Sequence, residues 1–310
     1  VNAKRQILIK ILGDNYKTND EYLFYCPYCK HHKKKLSVNI DKNVYKCWVC
    51  DTNGRNLRRV VRRFGTFAQL QEWDLLTNKV NITDFEHLFD TVKDVNFERT
   101  SLPDEFNSLV SKNIPLTSLL ARKYLKDRGI TKEDILYWKI GYCVSGYYAN
   151  RIIVPSFDQE GYVNYFIART YNGSWKKYLN PSVSKDIIFN ELYVDWDDDL
   201  IITEGVFDAI IAGRNSVPLL GSTLKESSKL FQAIVIHDTP VFIALDQDAQ
   251  QKEQRIIKNF INYGVEVYKI DTSGYDDVGS MTKEVFKKRK ENATFIAQDD
   301  YLLETSINAL

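Results

Sequence analysis

Cysteine is scarce in this chain of 310 residues, with five in all, too few for the disulfide lattice that staples small secreted domains. No uninterrupted apolar run approaches the roughly 18 residues needed to cross a bilayer. Val1 to Lys10 carries Lys4, Arg5 and Lys10 where a signal peptide has an apolar stretch. The expectation is a soluble, cytoplasmic protein with no membrane partner. Neither sign of charge dominates: 42 lysines and arginines stand against 41 aspartates and glutamates, a formal net charge of +1, so the whole-chain balance points to neither an acidic nor a basic partner. There is no internal repeat, no low-complexity tract and no G-x-x-x-x-G-K-[ST], so nothing in these residues supplies the phosphate cradle of a fused helicase.

What is present is ordinary globular material: 44 % apolar, 27 % charged and 13 % aromatic residues exclude disorder along the whole length. At roughly 150 residues per domain, the length suggests about two domains and something smaller. The cysteines mark the small part. Cys26-Pro27-Tyr28-Cys29 and Cys47-Trp48-Val49-Cys50 are two C-x2-C knuckles separated by seventeen residues. Four thiolates brought together in this way surround Zn2+ tetrahedrally and leave no open position, which makes the site structural. Between the pairs, Lys35 to Ile40 alternates polar and apolar, Asp41-Lys42-Asn43 reads as a turn and Val44 to Trp48 resumes in extended style, which predicts a hairpin. From Asn56 to Phe64, Leu57, Val60, Val61 and Phe64 recur at helical spacing, with Arg58, Arg59, Arg62 and Arg63 expected on the opposite side. Residues 26 to 65 hold eleven lysines and arginines against two aspartates, interleaved with Tyr28, Tyr45 and Trp48. Cations that track phosphates and rings that stack on bases suit a single nucleic-acid strand.

Phe67 to Leu76 and Phe85 to Val92 are helical patches in a connector. Pro115 to Lys126 and Thr131 to Trp138 read as two helices, the second opened by a capping box of Thr131 and Asp134. Arg151 to Phe157 and Tyr162 to Tyr171 read as paired strands, followed by the basic Lys176-Lys177-Tyr178-Leu179-Asn180. From residue 200 onward strand-like and helix-like segments alternate, the pattern of an α/β unit with a mainly parallel sheet. Acids stand where such strands end: Glu204 follows Leu200 to Thr203, Asp246 and Asp248 follow Val241 to Leu245, and Asp276-Asp277 follows a later strand and turn. In extended backbone Asp246 and Asp248 would face one way. Converging carboxylates repel unless cations neutralise them, and Mg2+ or Mn2+ is the natural counter-ion.

Thr203-Glu204-Gly205-Val206-Phe207-Asp208-Ala209, Leu220-Gly221-Ser222-Thr223, Ala244 to Ala249 and Tyr275-Asp276-Asp277 resemble, in order and spacing, the Toprim module of primases, topoisomerases, nucleases and RecR. Arg151-Ile152-Ile153-Val154-Pro155, Phe166-Ile167-Ala168-Arg169 and Lys177-Tyr178-Leu179-Asn180 resemble the basic subdomain that precedes it in DnaG-type primases. With the four-cysteine ribbon the likeness runs from about residue 22 to 290, and the all-cysteine ligand set looks more like phage primases than bacterial ones. The resemblance implies a multidomain α/β chain with a zinc-binding domain at 1–63, a helical connector at 64–105, an α+β basic subdomain at 106–198 and a Toprim catalytic subdomain at 199–310. It implies de novo RNA primer synthesis on single-stranded DNA from ribonucleoside triphosphates, with a separate helicase. Glu204, Asp246, Asp248 and Asp276 would hold Mg2+, Asp208 would join them in catalysis, and Asp277 is a weaker candidate. Arg151, Arg169, Lys177, Tyr178 and Asn180 would bind substrate. The bacterial F-x-K-G appears as Phe189-Asn190-Glu191-Leu192, leaving Lys185 or Lys176 to replace its lysine. A non-catalytic RecR-like DNA binder is the competing reading, with a topoisomerase or nuclease third.

Overall fold

The structure, a computed structural model, describes residues 3–77, 100–110, 115–221 and 223–296. Much of the expected connector, its patch Phe85 to Val92, Ser222 and the tail from Gln298 to Leu310 lie outside the described residues. The chain divides into two compact units, Val1–Lys93 and Asp94–Leu310.

The first unit is an antiparallel meander of β1 (Tyr16–Thr18), β2 (Glu21–Phe24), β3 (Leu36–Asn39), β4 (Val44–Cys47) and β5 (Asn53–Gly54). The β3–β4 hairpin forms as its alternation predicts, with Leu36 opposite Cys47 and Asn39 opposite Val44, and Asn43 supplies the left-handed turn residue. Helix α2 (Leu57–Phe64) opens where the Asn56 side chain accepts from the Arg58 N–H and stops at Gly65. Helix α3 (Phe67–Leu76), capped by Thr66 and Gln69, packs on α2 and on α1 (Ala3–Leu12). The segment 67–76, expected in the connector, thus belongs to the core of the first unit. Arg58 also departs from expectation: it is buried, and its guanidinium forks onto both carboxylate oxygens of Asp74 at 2.6 and 2.8 Å. Asp74 on α3 lies within reach of α2, so one of the four arginines is turned inward as a helix clamp.

The second unit holds two sheets. One is antiparallel, β6 (Asn107–Ser108), β7 (Gly141–Cys143), β8 (Arg151–Phe157) and β9 (Val163–Thr170), covered by α4 (Leu119–Asp127) and α5 (Lys132–Tyr137), the latter with the expected Thr131–Asp134 capping box. The other places β10 (Leu200–Thr203) between β11 (Ser216–Pro218) and β12 (Val241–Ala244), then β13 (Val267–Lys269) and, antiparallel at the edge, β14 (Thr294–Phe295). The helices of this sheet are α6 (Val206–Ala212), α7 (Lys229–His237), α8 (Gln250–Asn262) and α9 (Lys283–Glu291). One apolar core runs through both sheets, from Trp138 and Ile152 to Ile202, Ile243 and Phe260. The chain leaves β10 toward β11 on one side and returns to β12 on the other, so the order reverses between β10 and β12. That crevice is where open α/β sheets hold ligands.

Candidate metal centres and nucleic-acid face

The four knuckle sulfurs lie within 4.8 Å of one another, with Cys26 Sγ to Cys50 Sγ at 3.8 Å and Cys29 Sγ to Cys47 Sγ at 3.9 Å. Zn–S bonds of about 2.3 Å give a tetrahedron with edges of about 3.8 Å, so the sulfurs already have the spacing of a ligand shell. Their acidities differ without a cation. Burial pushes the Cys26 thiol up to about 12, whereas the Thr52 hydroxyl draws Cys50 down to about 6. A cation in the middle stabilises every sulfur as thiolate. Histidines 31 and 32 stack on each other and stand outside the cluster.

In the catalytic-type sheet, Thr203 pairs with Ala244 in parallel register, so the residues that follow the two strands leave the sheet side by side. Glu204, Asp246 and Asp248 bring carboxylate oxygens within 4.8 Å of one another. Asp248 does so from a 3-10 turn, Gln247–Ala249, and not from the extended segment expected; the turn folds it back over Asp246. Two acceptors, Oε2 of Glu204 and Oδ1 of Asp246, are buried with no hydrogen-bond partner. A buried acceptor left unpaired is costly, and a hard divalent cation satisfies it. The three carboxylates therefore fit Mg2+ or Mn2+.

Asp208 is beside this group without offering it a free oxygen. One of its oxygens accepts from the Gly205 N–H and the other from the Gly279 N–H, both at 2.8 Å. It ties the loop after β10 to the loop that carries Asp277. Burial first, then the charge of Asp277, raises Asp208 to about 6; burial, then Asp208 and Glu204, raises Asp246 to about 7. Asp276 and Asp277 both line the cavity beside Arg128 and Gly279. Asp277 is extended, at φ −147° and ψ 169°. Asp277 acts on Asp208 and Asp246 while Asp276 is exposed.

Of the expected substrate-binding residues, Arg151 and Asn180 turn out to be occupied internally. Arg151, 6 % exposed, donates to the backbone carbonyls of Lys176, Lys177 and Ala168, and the Asn180 side chain accepts from the Ala168 N–H. Arginine at the start of β8 faces the returning loop, and carbonyls of that loop and of β9 capture it. Arg169 lies over Phe207, Tyr178 and Tyr124 with its carbon 5.0, 5.2 and 5.9 Å from the ring centres, and donates to the Tyr178 hydroxyl. Lys177 is exposed. Lys185 reaches the Leu220 carbonyl at 3.4 Å, and Lys176 stays on the basic loop.

Three residues escaped the sequence reading. Arg128 stacks on the rings of Tyr124 and Phe207, both at 5.2 Å, and lines a cavity of about 770 Å³ with Asp277 and Gly279; its signal was the Arg128-Gly129 turn itself. Lys252 pairs with Glu204 at 2.9 Å, and only the fold brings these two together. Trp175, beside Lys176 and Lys177, is 94 % exposed.

The arrangement defines a class: an α/β unit with carboxylates at the switch point of a mainly parallel sheet, in one chain with a four-cysteine cluster spaced for zinc. No protein-family model matches the chain. The curated relatives it matches are DNA primases. It is 27 % identical to the DNA primase of Clostridium acetobutylicum over 93 % of this chain and 57 % of that one, and 23 % identical to that of Halalkalibacterium halodurans over 76 % and 48 %. The chain thus spans about half the length of the curated relatives it matches. Among solved structures, the DnaG primase catalytic domain bound to ssDNA has a TM-score of 0.54 at 19 % identity, covering 63 % of this chain and 78 % of that one. A DnaG catalytic core gives 0.53 at 21 %, covering 63 % and 79 %. These likenesses establish the fold. The RecR-like alternative is not favoured.

Proposed function

We propose that the protein is a DNA primase, phage-like in its all-cysteine ribbon, which starts RNA chains de novo on single-stranded DNA in the cytoplasm. The observation that carries this reading is the cluster of Glu204, Asp246 and Asp248, with its unpartnered buried oxygens, at the switch point of the sheet. In the proposed reaction the 3′-hydroxyl oxygen of one ribonucleotide bonds to the α-phosphorus of the next triphosphate, the α–β P–O bond breaks and pyrophosphate leaves. The hydroxyl proton passes to Glu204 or to water. Bound Mg2+ would polarise the phosphoryl oxygens and offset the charge of the leaving pyrophosphate. Asp208 and Asp277 shape the carboxylate cradle. Arg169, Arg128 and Lys177 neutralise triphosphate or template phosphates, while Arg151 and Asn180 hold the loop that presents Lys177 and Tyr178. Lys185 takes the role of the missing lysine, because it reaches the Leu220–Gly221 loop. The zinc ribbon helps to select the start site, and unwinding comes from a separate helicase.

The test supplies the protein with an oligonucleotide template, Mg2+ and labelled ribonucleotides. Wild-type protein should yield short primers, and Asp246→Asn should abolish dinucleotide synthesis with template affinity nearly retained. Undiminished synthesis by that variant removes the metal-site assignment.

A further inference from the structure

Five carboxylates, from Glu204, Asp208, Asp246, Asp248 and Asp277, crowd the mouth of the β10–β12 crevice, and burial of so much like charge is unfavourable without a cation. Among the described residues, Lys252 is the cation whose ion pair enters this cluster. Its Nζ lies 2.9 Å from Glu204 Oε1, with the two side chains 20 % and 27 % exposed. We propose that Lys252 is a resident counter-cation, holding Glu204 in place until a divalent ion displaces it. The inference rests on the metal reading of Glu204, Asp246 and Asp248.

Local construction supports an exchangeable contact. Lys252 is in the first turn of α8, directly after the 3-10 turn that carries Asp248. The next residue, Glu253, is buried and paired with Lys269 at 2.5 Å, which anchors that turn from its other face and leaves Lys252 directed at the acids. Lysine binds as a single charge on a flexible stem, with no fork to lock it to a carboxylate. A cavity of about 580 Å³, lined by Glu204, Thr223, Gln247, Asp248, Lys252 and Arg255, gives the ammonium room to withdraw. Glu204 keeps its other oxygen, Oε2, buried without a partner, so the lysine satisfies only half of the carboxylate. A divalent ion can engage Glu204 together with Asp246 and Asp248, but it meets a positive charge already seated there. The lysine therefore stabilises the cluster without metal and weakens metal binding by competition.

The experiment titrates Mn2+ into the full chain, zinc loaded, by calorimetry and by the spin-resonance signal of free Mn2+. It compares wild type with K252M, K252Q, K252R, E204Q and D246N. K252M and K252Q should bind Mn2+ at least about threefold tighter, from loss of a neighbouring positive charge, and should melt at a lower temperature than wild type when no Mn2+ or Mg2+ is added. K252R, which keeps the charge and adds a fork, should bind Mn2+ no more tightly than wild type. A Lys252 whose role is only to brace the fold would lower the melting temperature without tightening Mn2+ binding, and unchanged or weaker binding in both neutral variants overturns the proposal. E204Q and D246N separate the two readings. If they lose Mn2+ while the neutral lysine variants match wild type, only the counter-cation fails. If they bind as wild type does, the metal site itself is wrong.

Discussion

Asp208 shows how much one side chain can organise. Each of its oxygens is bonded to the backbone of a glycine, and a side chain at either glycine would force Asp208 to shift: a Cβ at Gly205 would come within 2.9 Å of one oxygen and at Gly279 within 2.8 Å of the other. Asp208→Ala should cost about 1.5–3 kcal/mol for each charged hydrogen bond lost, read from the denaturant midpoint, and should weaken Mn2+ binding by releasing both loops. Trp175 is a different case, a large ring displayed to solvent on a loop that Arg151 ties down. Trp175→Ala should reduce affinity for single-stranded DNA by about 1–3 kcal/mol, and in the wild type tryptophan fluorescence should be quenched on binding. Residue identity made Glu204, Asp246 and Asp248 readable as a group, because acids after apolar strands are unusual. It could not foresee that backbone carbonyls would consume Arg151.

Elements were the most legible scale where periodicity was strong. The β3–β4 hairpin, α2, α3, α5, β8 and β9 follow their patterns, and the parallel sheet follows from alternation. Helix α1 escaped because its apolar residues spread around the helix and its cations suggested only the lack of a signal peptide; Ile7 and Leu8 are nonetheless fully buried with Val60, Val61 and Trp73. Arg58 escaped because its partner, Asp74, is supplied by the next helix. Arg58→Ala should destabilise the first unit by about 3–5 kcal/mol, as removal of one partner strands the other, and thermal unfolding of the full chain should show it. The knuckles themselves sit at the ends of β2 and β4, so a chelator strong enough to take zinc should melt the meander, visible as loss of its far-ultraviolet dichroism.

At the scale of the whole molecule, each proposed metal has all its donors inside one compact unit: the sulfurs in Val1–Lys93, the carboxylates in Asp94–Leu310. Stripping zinc should therefore lower template affinity and leave the Mn2+ dissociation constant within about twofold of its original value, checked by titration before and after zinc is restored. The carboxylate site also owes its dimensions to something no side chain sets. Glu204 and Asp246 extend from neighbouring strands whose Thr203–Ala244 pairing is fixed by main-chain hydrogen bonds. In that register Glu204 falls opposite Leu245 and Asp246 one residue further on, so the backbone sets both a strand spacing of about 4.8 Å and a one-residue offset between the two acids. Drift in the surrounding helices can retune acidity or access, but it cannot rescale that gap. Only a slip of one strand past the other could, and such a slip would turn the whole strand inside out.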